Sequence, residues 1–222
     1  NEELEILNFI TENYSGPIIS GDKRILKGME LDIVLPDLKL AIEYCGLYWH
    51  SEKSSGKTYK YHYAKWKKCN DEGIQLLTIF SDEWNDNKDV VKNCLLSKIG
   101  KQKRIFARKC QVKEINKKEA IDFLDKIHLQ GSTKRITNAI GLFYQNELVS
   151  VMIFLKKSDK IVELTRFASK NEIIGGASKL LSFYLKTNTE VMEVISFSDN
   201  RWSNGNLYKK IGFQVDGIVP PM

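Results

Sequence analysis

Met29 to His50 reads MELDIVLPDLKLAIEYCGLYWH, and this stretch decides how the first half of the chain is understood. Glu30 to Leu35 alternates polar and apolar side chains, the period of a strand with one buried face. Pro36-Asp37 marks a turn and Leu38 to Tyr44 is an apolar strand, so the segment predicts a β-hairpin. Asp32 falls on its first strand and Glu43 on its second. Acidic side chains among apolar strand residues are costly without partners. A hairpin can bring two such carboxylates around one divalent cation, and Mg2+ or Mn2+ held there could activate water and offset charge on a phosphodiester. Taken singly, either acid is better read as a solvated side chain of an edge hairpin.

The elements around the hairpin follow from periodicity and from helix stops. Glu2 to Asn13 predicts a helix with Leu4, Leu7 and Ile10 on one face, ended by Ser15-Gly16-Pro17. The polar stretch Ser51 to Lys57 leads into a helix from Tyr59 to Glu72, stopped by Gly73. Ile74 to Phe80 is a continuous apolar run expected to be a buried strand, and Asp82 to Ile99 reads as one helix. Lys98 to Lys113 then carries seven basic residues and no acidic one. The expected organisation is a first domain over 1–98, a basic linker over 99–106 and a second domain over 107–222. That second domain predicts a strand at Ile105 to Val112, a helix at Lys117 to Lys126, and a hairpin turned at Gln145-Asn146-Glu147. A strand at Ile161 to Phe167, a glycine turn, a helix from Gly176 to Lys186 and a strand at Val191 to Phe197 follow. A short helix at Asn204 to Ile211 and a last strand at Phe213 to Val215 close it. The fold class is α/β (α+β).

Composition narrows the partners. With 42% hydrophobic and 28% charged residues over 222 positions, the chain is globular. No run approaches the ~18 apolar residues of a membrane span. The acidic start lacks the basic and apolar regions of a signal peptide, so a cytoplasmic protein with no membrane contact is expected. Cys45, Cys69, Cys94 and Cys110 form no C-x-x-C pair and read as free thiols rather than zinc ligands. Through Arg104 there are 16 basic and 16 acidic residues, so the remaining 18 and 12 carry the whole net charge of +6. Such a basic half suits a polyanion, although a solvated lysine surface has the same composition.

An acid-bearing helix, a strand with Asp32, a strand with Glu43, then a helix and a buried strand resemble the PD-(D/E)XK nuclease superfamily. The block Gly46-Leu47-Tyr48-Trp49-His50 is similar to the branch holding the very short patch repair endonucleases and the EDxHD homing endonucleases of phages. Over residues 1 to 98 the resemblance implies a restriction-endonuclease-like mixed sheet flanked by helices. It implies a Mg2+-dependent (or Mn2+-dependent) DNA endonuclease, a homing nuclease acting in a phage-infected bacterial cell. It places Asp32 and Glu43 at the metal, makes His50 the group that moves a proton, and assigns an acid near the metal to Glu5 or Glu3. The superfamily's lysine position is Cys45 here, so its charge is expected from Lys65, with Gln75 second, and His62 lies one helical turn before Lys65.

On this reading the partner is double-stranded DNA. Lys57, Lys60 and Lys68, interleaved with Tyr59, Tyr61, Tyr63 and Trp66, are expected to contact it, with Tyr63 and Trp66 packing inward. Lys101, Lys103, Arg104, Arg108 and Lys109 in the basic run, and Lys134, Arg135 and Arg201 beyond it, are expected on phosphates.

In the second half, Glu172-Ile173-Ile174-Gly175-Gly176-Ala177 lies between a strand and a helix, where glycines expose backbone N–H groups to phosphate. With Asn206-Leu207-Tyr208-Lys209-Lys210-Ile211-Gly212-Phe213, it resembles the acetyl-CoA pyrophosphate loop and the Y-x-K-x-G-F end of GNAT acetyltransferases. Glu172 occupies the position of a leading Gln or Arg, so its charge opposes a pyrophosphate. The GNAT-like domain is therefore expected to assist DNA recognition, with acetyl-CoA the lesser expectation. The alternatives are an N-acetyltransferase using acetyl-CoA with a nucleic-acid-binding first domain, and a non-catalytic DNA-binding protein. His128-Leu129-Gln130-Gly131 and Asp199-Asn200-Arg201-Trp202-Ser203 are polar-aromatic loops, and Arg166 sits mid-strand, placed to meet a phosphate or an internal acid.

Overall fold

The computed structural model describes residues 1–46 and 59–219. The chain divides into two compact units, Asn1–Gln102 and Lys103–Met222.

The first unit opens with α1 (Glu2–Asn13), capped by the Asn1 side chain accepting from the Glu3 amide, with Ile6 and Ile10 buried. A four-stranded sheet follows in the order β1 (Ile19–Leu26), β2 (Met29–Leu35), β3 (Leu40–Cys45), β4 (Gln75–Phe80). The hairpin expected from residues 29–50 is the antiparallel β2–β3 pair, with a 3-10 turn at Pro36–Leu38 between its strands. β4 runs parallel to β3, which requires a crossover, and α2 (Tyr59–Asp71) supplies it. β1 was not anticipated: its sequence ISGDKRIL carries too many polar residues to alternate, and pairing with β2 makes it a strand. The single helix expected over 82–99 is two, α3 (Ser81–Asp86) and α4 (Lys88–Lys98), broken at Asn87.

The second unit is a five-stranded sheet in the order β11 (Glu193–Ser196), β9 (Ile161–Ser169), β8 (Glu147–Lys156), β7 (Asn138–Tyr144), β6 (Gln111–Glu114). Only the β11–β9 pair is parallel. Gln145 and Asn146, both at positive φ, turn the β7–β8 hairpin as expected. The run Val151-Met152-Ile153-Phe154 on β8 is apolar on both faces because both are covered. Val151 and Ile153 meet Ala120, Phe123 and Leu124 of α5 (Lys117–Ile127). Met152 and Phe154 meet Leu180, Leu181 and Tyr184 of α6 (Gly176–Thr187), where the Phe154 and Tyr184 rings stack at 3.6 Å. The strand expected at 105–112 is instead β5 (Arg104–Phe106), a 3-10 turn at Ala107–Lys109, and β6. β5 pairs in parallel with the short β10 (Glu172–Ile174). α7 (Asn206–Lys210) follows β11, and the strand expected at Phe213 to Val215 is irregular chain. No helix among the described residues is long and apolar enough to cross a membrane.

Candidate functional site

In the first unit the β2–β3 register pairs Ile33 with Ile42, which sets Asp32 opposite Glu43. Asp32 accepts a hydrogen bond from the Tyr44 amide at 2.8 Å. Burial, with the Glu43 charge adding to it, pushes Asp32 up to about 7. Glu43 forms an ion pair with Lys65, which is only 2% exposed. His62 lies on the same helix with its Nδ1 4.0 Å from the Cys45 sulfur. Gln75 accepts from Lys98 at 3.3 Å. Glu5 stands apart from the two acids, held by Lys88 at 2.8 Å and the Trp84 indole at 3.1 Å, and the Lys88 bond holds its carboxyl below the usual range. His50 and Lys57 lie outside the described residues, as does the side chain of Lys60. Among the described residues, no three His, Cys, Asp or Glu side chains gather as a metal site.

The residues expected on DNA fall on both units. Lys68 reaches the Met29 sulfur at 3.3 Å, and Trp66 packs on the core while Tyr63 is 41% exposed, against the expectation that both turn inward. Lys101, Lys103, Lys109, Lys134 and Arg135 are exposed. Arg104 pairs with Glu172, Arg108 lies over the Phe106 ring, and Arg201 pairs with Asp199.

The second unit gathers a more continuous arrangement. β11 pairs with β9 only from Ile161 to Leu164, yet β9 runs on to Ser169. Past Leu164 the ladder ends with β11 at Ser196, and no described strand covers that edge of β9. The chain then passes through Glu172–Ile174 and Gly175, at φ 78°, into α6. The first-turn N–H groups of a helix lack intrahelical acceptors. At α6 no side chain caps them and no acid stands in the first turn, whereas α5 is capped by Asn116. Gly176 is required by packing, since a Cβ there would come within 2.9 Å of Ile173. Ala107 lies 3.7 Å from a Cβ built at Gly175, so the Ala107–Lys109 turn flanks the glycines. Lys179 on α6 ties that turn down by donating to the carbonyls of Ala107 at 2.9 Å and Cys110 at 2.5 Å. The Glu172 charge, which weighed against phosphate in the sequence, is answered by Arg104 at 2.7 Å across the β5–β10 pair. Sequence reasoning missed this because the two are 68 positions apart.

No family model and no curated protein matches the chain. Among solved structures it is similar to an aminoglycoside acetyltransferase from an uncultured soil metagenomic sample, with TM-score 0.40 and 12% identity over 52% of this chain and 95% of the other. A GNAT family acetyltransferase from Streptococcus pneumoniae gives TM-score 0.40 and 16% identity over 50% and 94%. A GNAT family acetyltransferase from Elizabethkingia anophelis with acetyl-CoA bound gives TM-score 0.38 and 17% identity over 49% and 78%.

These findings correct the nuclease expectation. The similar structures are acetyltransferases, and nothing in the comparisons supports the PD-(D/E)XK membership, the DNA-endonuclease activity or an Mg2+ or Mn2+ cofactor. The geometry shows what holds the two acids of the hairpin. Glu43 is engaged by Lys65 within the fold, and Asp32 is held against ionisation and bonded to the backbone. Two acids in register on a hairpin look alike in sequence whether a metal or a lysine answers them.

Proposed function

We propose that the second unit binds acetyl-CoA and that the protein transfers the acetyl group to an amine. The observation that carries this reading is the end of the β9–β11 ladder at Leu164 and Ser196, which leaves the rest of β9 without a strand on that edge, with the uncapped N-terminus of α6 following it. An exposed strand edge offers backbone N–H and C=O groups to an extended, amide-bearing arm. The uncapped helix end offers N–H groups and a favourable dipole to phosphates. Acetyl-CoA has both features, joined in one molecule, and when bound it supplies an activated thioester. Residues of β9 from Thr165 to Ser169 would hold the arm, and the backbone of Gly176 to Ser178 would hold the phosphates. Arg108 and Lys109, exposed on the turn beside Gly175, add positive charge to that end.

Ser178 gives a direct test. It is exposed in the first turn of α6, where an acid favours the helix dipole but repels phosphate. Ser178→Glu is expected to leave the melting temperature unchanged or slightly raised while weakening acetyl-CoA binding about tenfold or more, read by calorimetric titration. Saturating acetyl-CoA should raise the melting temperature of the wild type, and no shift would overturn the reading.

A further inference from the structure

We infer that Arg166, with the His128 loop, recognises a carboxylate on the acyl acceptor, so that the substrate is an amine that also carries an acid; this rests on the acetyl-transfer reading above. β9 carries one extra residue at Thr165, because Leu164 pairs with Phe154 and Arg166 with Ile153. The bulge reverses the alternation of the strand. Val162 and Leu164 face α6, while Arg166 turns with Ile153 and Ala168 towards α5. Arg166 thus stands two residues past the last β11 pair, at the opened end of the sheet and on the face away from α6.

There, among the described residues, the half-buried guanidinium bonds only to carbonyls, that of Gly131 at 3.3 Å from Nε and that of Thr165 at 2.8 Å from Nη1. No carboxylate among the described residues forms an ion pair with it. Asp125, whose Oδ1 lies beside Gly131, accepts from the Ser132 amide at 2.7 Å and forms no ion pair with Arg166. Beside Arg166, the His128 Nδ1 accepts from the Gln130 amide at 3.1 Å, which leaves its proton on Nε2 as a donor. Burial and the Arg166 charge keep that imidazole neutral, with its pKa lowered to about 4. A cation and a neutral donor, without an acid to answer them, suit a planar two-oxygen anion.

The test compares amino acids with their carboxamides as acceptors, following CoA thiol release by the full chain. The wild type should favour the acids roughly 10- to 100-fold in kcat/KM, the range of a charge-assisted hydrogen bond. Arg166→Gln should abolish that preference, while Arg166→Lys should keep part of it. Equal use of acids and carboxamides by the wild type, or a preference surviving in Arg166→Gln, would overturn the inference. A second measurement decides the matter even if acetyl-CoA does not bind or no acceptor is turned over. N-acetylglycine, titrated against the wild-type protein, should shift the His128 Nε2–H resonance, and Arg166→Gln should lose that shift. No shift in the wild type would sink the carboxylate site, whereas failure of acetyl-CoA to bind would sink only the transfer reading.

Discussion

At the scale of single residues, the buried charges set the sharpest expectations. Lys65 and Glu43 form an ion pair with side chains 3% and 12% exposed. Removing one partner leaves an uncompensated buried charge, so Lys65→Met should cost about 3 kcal/mol in urea unfolding. The double variant Glu43→Leu/Lys65→Met should recover most of that loss, because the desolvation of both groups disappears with them. His128 sets a pH dependence. Its imidazole titrates at 6.5 when free and at about 4 in the fold, with burial the larger cause and Arg166 the smaller. Between those values the unfolded chain takes up the proton and the folded one does not. The contribution of His128 is therefore full above pH 6.5 and falls as the pH drops towards 4, by about 3 kcal/mol. His128→Gln should flatten that slope in denaturation curves measured at both ends of the window.

At the scale of elements, the short parallel pair β5–β10 places the Ala107–Lys109 turn beside the glycines that open α6. The Arg104–Glu172 pair across it is exposed, at 66% and 36%, so its contribution to stability is small. Arg104→Ala should accordingly change the unfolding midpoint little, yet weaken acetyl-CoA binding several-fold by leaving the Glu172 charge unanswered near the phosphates. Equal affinity in the variant would show that Glu172 does not face the cofactor. The apolar periodicity of α5, the two-faced run of β8 and the hairpin turn at Gln145-Asn146 were all legible in the chain, since each follows from local pattern. β1, β5 and β10 were not, because polar or very short segments become strands only when a neighbour supplies the ladder.

At the scale of the whole molecule, the chain consists of two units, 1–102 and 103–222, each with its own core. A fragment covering 103–222 is expected to fold alone and to bind acetyl-CoA with the affinity of the full chain, a prediction checked by circular dichroism and calorimetry on the fragment. The sequence by itself determined the helices and hairpins whose apolar period is local, the glycine turn into α6, and the free thiols that the structure retains. It also brought Asp32 and Glu43 into one hairpin and offered Lys65 as the charge beside them, but not which acid the lysine pairs with. That was decided by tertiary structure, through a lysine that α2 delivers from 22 residues away. The early end of the β9–β11 ladder, the bulge that turns Arg166 to the other face and the meeting of Arg104 with Glu172 were likewise settled only in three dimensions. Each depends on strand register between distant segments, and register is fixed by the packing of whole faces, which no local run of residues encodes.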